Sequence, residues 1–142
     1  MRLVWCTVVI FLLGQSLSSQ GAEPEVVIVD LRSHRAEVRA VLLKHTPLES
    51  GTREVVEFIS RHLQHNENTP VTVMDGPPPV TSELKQPGAK FIRVYLGQYY
   101  DHPEVVFLAA PVLMQKEVCV IWIFDQQNRL IDIYVEKTTG TY

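Results

Sequence analysis

The spacing of apolar residues changes character near residue 70. Before that point it is helical. Leu31, Val38, Val41 and Leu42, with His45 on the same face, recur at the spacing of one helix face and predict a helix over 31–45. Asp30 precedes it as a candidate N-cap. Pro47 ends it, because a proline disfavours helical geometry at the residue before it, Thr46. Thr52 is the candidate cap of a second helix over 52–65, whose stripe is Val55, Val56, Phe58, Ile59 and Leu63. Glu57 and Arg61 form an i, i+4 pair on its polar side. The short joint between the two predicts an αα-hairpin.

After residue 70 the pattern becomes strand-like. Val71–Met74 is a short strand candidate. Residues 75–90 hold four prolines and two glycines and predict a long exposed loop, with Pro77–Pro79 in polyproline II. Phe91–Gly97 and Glu104–Met114 are further strand candidates, with Pro111 marking an edge or end of the latter. Glu117–Phe124 (EVCVIWIF) is apolar on both faces and predicts a central strand covered on both sides. Asp125–Arg129 is a hairpin loop. Leu130–Glu136 alternates, which sends Ile131, Ile133 and Val135 inward and Asp132, Tyr134 and Glu136 outward. Two helices followed by antiparallel strands predict an α+β domain, with the N-terminal helix hairpin packed on one face of a three- to four-stranded antiparallel sheet.

Composition narrows the class. The chain has 142 residues, 46% hydrophobic and 20% charged, which suits one globular domain. Its formal net charge of −3 argues against a nucleic-acid partner, which usually meets a dense basic surface. At the N-terminus, Arg2 precedes the apolar run LVWCTVVIFLL, and small polar residues follow it. Eleven helical residues rise about 16 Å, short of a hydrocarbon core of roughly 30 Å. Residues 1–22 therefore read as a signal peptide cut after Ala22, leaving 23–142 as one exported domain, periplasmic or secreted, without stable membrane insertion. Cys6 leaves with the signal and Cys119 remains alone, so no intramolecular disulfide is expected. A disulfide-free exported domain leans towards a bacterial source.

The chemistry-bearing residues each carry a plain reading. His62 and His65 stand at i, i+3 without the Glu of an H-E-x-x-H site, and zinc needs three or four ligands, so no metal site is expected. Tyr99-Tyr100-Asp101-His102 precedes Pro103 and reads as a turn whose tyrosines pack over the sheet edge, with no partnered nucleophile nearby. Cys119, between Val118 and Val120, reads as an inert core thiol. Arg32, Arg35 and Arg39 form a row that suits an acidic partner but, interleaved with Glu37, reads as a solvated helix flank. No phosphate-cradling glycine motif, nucleophile elbow, Cys/His zinc framework or Asp-rich calcium loop occurs. No catalytic, cofactor-binding or metal-ligating residue is thus assigned, and no cofactor is implied. Trp122, in the middle of the most apolar strand, is the expected core anchor, with Ile59 and Leu63 as neighbours.

Two segments carry a resemblance. Pro47–Ile59 (PLESGTREVVEFI) resembles the turn of small bacterial envelope proteins in which Gly, Ser and Thr lead into a helix opening with an acid and valine. Val120–Leu130 (VIWIFDQQNRL) resembles their last hairpin: apolar strand, Phe-Asp, turn, then a strand opening with Leu. These 24 residues and the element order are similar to the SmpA/OmlA-type, BamE-like families and the β-lactamase-inhibitor-like fold around them. The resemblance implies an envelope protein that binds other proteins and catalyses nothing. The chain departs from the pattern in lacking a Cys at the end of the apolar run for lipidation, and in its proline-rich loop. The expectation is a non-enzymatic module that binds an envelope or extracellular protein. The alternative is a small pocket protein of the NTF2-like kind, with Tyr95, Tyr99, His102 and Trp122 lining an enclosed, polar-floored cavity that binds or turns over a small ligand.

Overall fold

The computed structural model describes residues 25–65, 70–79, 88–100 and 115–140. They form an α+β arrangement of two helices, α1 (Arg35–His45) and α2 (Thr52–His62), and four strands, β1 (Val73–Asp75), β2 (Lys90–Tyr100), β3 (Gln115–Phe124) and β4 (Leu130–Gly140). The segments expected as signal peptide (1–22) and as the strand Glu104–Met114 lie outside the described residues.

Both helices are shorter than their apolar periodicity predicts, because local hydrogen bonds intervene. Asp30 does not cap α1. Its Oδ1 accepts the Arg32 N–H at 2.9 Å and its carbonyl the Ser33 N–H at 3.2 Å, closing a separate turn. The helix starts at Arg35, after the Glu37 carboxylate accepts the His34 N–H at 3.2 Å. Glu54 does the same for the Gly51 N–H at 3.0 Å, so the Thr52 hydroxyl can donate to the Asn128 carbonyl at 3.2 Å. At its far end α2 stops at His62 because Leu63 turns extended and pairs with Val27 of the N-terminal lead-in. The His62 carbonyl accepts from Val27, and Val27 in turn accepts from Gln64 at 3.1 Å, which satisfies groups that a helix end leaves open.

The sheet runs β1-β2-β3-β4, with every neighbouring pair antiparallel. β3 is interior, as its apolar sequence predicts. β2 is longer than predicted, so Tyr99 and Tyr100 belong to the strand and not to a turn. Two register shifts redirect side chains. In β2 the shift between Tyr95 and Gly97 is possible because Gly97 adopts φ 148°, a conformation side chains rarely accept. In β4, Phe124 pairs with Leu130 and Ile123 with Asp132. The intervening Ile131 joins the face opposite to Ile133 and Val135, against the plain alternation.

Buried residues of both helices and of the strands fall in one cluster. Val38 and Leu42 of α1, and Val55, Phe58 and Ile59 of α2, cluster with Ile92, Val94, Val118, Val120, Trp122, Phe124, Leu130, Ile133 and Val135. Trp122 is wholly buried there, in the same cluster as Ile59 and Leu63. Its Nε1–H donates to Thr46 Oγ1 at 3.1 Å, and the Thr46 hydroxyl donates to the Leu42 carbonyl at 2.9 Å. The buried indole and the buried threonine thus satisfy each other.

The opposite face carries a smaller cluster. Phe91, Ile121 and Ile123 are buried, with Met74, Ile131 and Tyr134 packed around them. β3 is therefore buried on both sides but not in the same way. Gly88 lies directly against the Ile123 side chain, and Pro78 is buried, so the proline-rich segment is not uniformly exposed. Residues 80–87 of that segment lie outside the described residues.

The Arg row is largely exposed, as a helix flank, and two of its members also reach β4. Arg39 pairs with Asp132 at 2.6 Å and donates from Nε to the Ile133 carbonyl at 3.0 Å. Arg35 donates to the Lys137 carbonyl at 3.2 Å, while Arg32 stays exposed. Lys137 reciprocates, donating to the carbonyls of Leu31 at 2.7 Å and Ser33 at 2.6 Å, with its ammonium 5.2 Å from the Tyr99 ring centroid. No helix among the described residues is long and apolar enough to cross a membrane.

Candidate functional site

The sheet face on which no described helix packs holds the one described place where a cation, a thiol and a phenol line an open groove. Pleating puts them there. Tyr95 of β2 pairs with Cys119 of β3, which pairs with Glu136 of β4, so the three stand in one row across the sheet. Arg93, two residues before Tyr95, shares this face. Its Nη2 donates to Glu136 Oε2 at 2.8 Å and sits 3.9 Å from Cys119 Sγ. The Tyr95 hydroxyl donates to Gln98 Oε1 at 3.2 Å.

An open groove of about 510 Å³ runs over this row, lined by Pro70, Thr72, Met74, Arg93, Tyr95 and Cys119. A second groove of about 430 Å³ shares Tyr95 and continues along Leu96, Gly97 and Gln98 of β2. A third, about 400 Å³, shares Pro70 with the first and surrounds the end of α2 at His62 and His65.

Cys119 is therefore half-buried on a grooved face and not enclosed in the core. Burial pushes its thiol above the ordinary value. Glu136 and Glu117 push the same way, and the neighbouring Arg93 acts against them. A thiol held protonated is a poor nucleophile.

The other candidate residues are not brought to this site as a set. His62 Nδ1 donates to the Glu25 carbonyl at 3.2 Å, and its ring stacks on Phe58 at a centroid distance of 6.3 Å. His65 Nδ1 donates to the Leu63 carbonyl at 2.8 Å. Each imidazole is thus engaged by backbone, and among the described residues no three His, Cys, Asp or Glu side chains converge. Tyr99 and Trp122 belong to the helix-side core, whereas Tyr95 lines the groove on the other face. These three residues do not line one pocket, and Asp101 and His102 lie outside the described residues.

Sequence reasoning missed Arg93 and Glu136 as a pair, and the legible signal was an arginine inside the apolar run FIRVYL. A strand charge flanked by β-branched and aromatic residues needs a cross-strand partner or solvent, which marks the face it points to. Comparison of the chain with protein-family models, with curated proteins and with solved structures finds no match.

Proposed function

We propose that the protein is an exported, non-enzymatic protein-binding module, with the grooved sheet face around Arg93 as its contact surface and the α1–α2 hairpin as the backing layer on the other face. One observation carries this reading. The buried Trp122–Thr46 pair of the helix-side core is satisfied, while one groove of about 510 Å³ opens on the other side around Arg93, Tyr95 and Cys119. The groove combines apolar wall from Pro70 and Met74 with an aromatic and an arginine, side chains that favour a docking surface. Export rests on Arg2 and the apolar run after it, and the envelope setting on the two BamE-like segments. The pocket-protein alternative has less support, since its described lining residues, Tyr95, Tyr99 and Trp122, are divided between the two faces.

A photo-crosslinking amino acid in place of Thr72, on the groove wall, should yield a discrete protein adduct in the cell envelope. The same group in place of Glu57, on the exposed side of α2, should yield none. Equal labelling from both positions, or none from Thr72, overturns the assignment of the surface. Mass spectrometry of the native chain tests export separately: a membrane-bound form retaining Met1 overturns it.

A further inference from the structure

We infer that the slot between the end of α2 and the bulge of β2 is a site for an extended peptide segment. In this structure the chain's own residues 25–33 hold it as a strap. A partner protein's segment, with apolar side chains at every second position and larger than those of the strap, displaces them. The inference goes beyond the docking role proposed above and does not depend on the Arg93 groove.

The strap is bound in the manner of a peptide ligand. Its side chains alternate: Val27, Val29 and Leu31 pack against the helix-side core, while Val26 and Ile28 stay 55% and 73% exposed. The rest of the domain holds it by its main chain. The His62 carbonyl accepts the Val27 N–H, the Gln64 N–H donates to the Val27 carbonyl at 3.1 Å, and His62 Nδ1 donates to the Glu25 carbonyl at 3.2 Å. At the other end Lys137 Nζ donates to the carbonyls of Leu31 and Ser33. Each of these bonds goes to strap backbone, so none depends on the side chain carried there. Main-chain pairing gives affinity in this mode and alternate side chains give selectivity. The β2 bulge belongs to the same seat, since a Cβ on Gly97 would meet Leu31 Cδ1 at 3.0 Å.

The strap fills the slot incompletely. A groove of about 430 Å³ is lined by Val29 and Leu31 of the strap, by Gln64 and His65, and by β2 from Tyr95 to Gln98. A groove of about 400 Å³ is lined by Val26 together with Gln64, His65 and the end of α2. The strap is thus a wall of both. A side chain longer than valine at the Val29 position has room in the first groove and would remove more apolar area from water. This decides the occupant. The strap of a second copy makes only the contacts that the tethered strap already makes, and tethering gives the resident strap the higher effective concentration. A partner segment with a larger residue there gains contacts the strap lacks.

The test uses the exported chain, residues 23–142, and two labelled peptides: the strap sequence EVVIVDLRS and the same peptide with Val29→Phe. Val27→Asp in the chain puts a charge at an inward strap position and loosens it. Fluorescence anisotropy on that variant should show both peptides bound, the Phe peptide at least about tenfold tighter, the scale of added apolar groups in a fitting pocket. Methylation of the peptide amide equivalent to Val27, the donor to His62, should abolish binding. On the unsubstituted chain, saturating Phe peptide should open the Val27 amide to hydrogen exchange and leave the Gln64 amide protected, because the peptide supplies the carbonyl it donates to. Circular dichroism and the urea midpoint establish that Val27→Asp is folded, and the exchange measurement needs no variant.

A folded Val27→Asp chain that binds neither peptide overturns the inference. So does a Phe peptide that binds the unsubstituted chain with the Val27 amide still protected, since it then sits elsewhere. Equal binding of the two peptides overturns the choice of partner, and a dimer of the unsubstituted chain in sedimentation then identifies strap exchange between copies.

Discussion

The two faces of the sheet are built from the same strands and serve different ends. Along β3 the residues alternate between them: Val118, Val120, Trp122 and Phe124 join the helix-side core, while Cys119, Ile121 and Ile123 face the other way. The first set meets two helices and a satisfied indole–threonine pair. The second meets neighbouring strand side chains and Gly88, and towards one end gives way to a groove with Arg93 and a thiol. Burial on both sides of a strand therefore does not imply equal layers on both sides. Apolar area removed from water contributes about 25 cal/mol per Å² wherever it occurs, and the helix side holds the larger buried cluster.

This contrast can be broken first at Trp122. Trp122→Ala should lose about 3–5 kcal/mol, the range for a buried aromatic truncated to alanine, measured by urea titration. An unchanged midpoint would mean that the helix-side core is not the stabilising layer. On the opposite face, Gly88→Ala forces a new methyl against Ile123 and should cost about 1–3 kcal/mol, the usual penalty for overpacking. A loss as large as that of Trp122→Ala would make the two faces energetic equals. Arg39→Ala removes the Asp132 pair and the bond to the Ile133 carbonyl. Both partners are well exposed, so it should cost only about 1 kcal/mol. Thermal unfolding read at matched ionic strength measures it, and the effect should shrink in high salt.

The smallest effect sharpens the groove. Burial raises the Cys119 pKa, so at mildly alkaline pH a smaller fraction is thiolate than in an ordinary cysteine. Iodoacetamide should modify it more slowly than a cysteine in an unfolded peptide. Arg93 opposes the rise, so Arg93→Gln should push the pKa higher and slow the reaction further, with the whole rate profile displaced to higher pH. Faster alkylation in that variant would show that Arg93 shields the sulfur more than it charges the site.

Several elements are legible in the amino-acid order because their causes are local. The α2 stripe, the Asp125–Arg129 loop and the apolar density of β3 each lie within one short window, and the structure places a helix, a hairpin turn and an interior strand there. Within the loop, Asp125 Oδ1 accepts the N–H groups of Gln127 at 2.9 Å and Arg129 at 2.8 Å, and Asn128 takes φ 62°. Asn tolerates that left-handed conformation, and an Asp before it is a turn signal. The bonds from Arg129 also hold the Asp125 carboxyl below the usual carboxylate range.

The amino-acid order alone thus sets the types and succession of the described elements and the α+β class, since periodicity, turn chemistry and β-branching act over a few residues. It also marks Trp122 as core, because so large an apolar surface in so apolar a strand has few other places to go. Face membership, by contrast, depends on how the strands pair. The register shift at Ile131 reversed that side chain, the pairing of Tyr95, Cys119 and Glu136 brought together residues far apart in the chain, and Arg35 and Arg39 reached β4 once it lay beside α1. A slip of one residue in a strand exchanges its faces, and nothing within a single strand specifies where its neighbour's register starts.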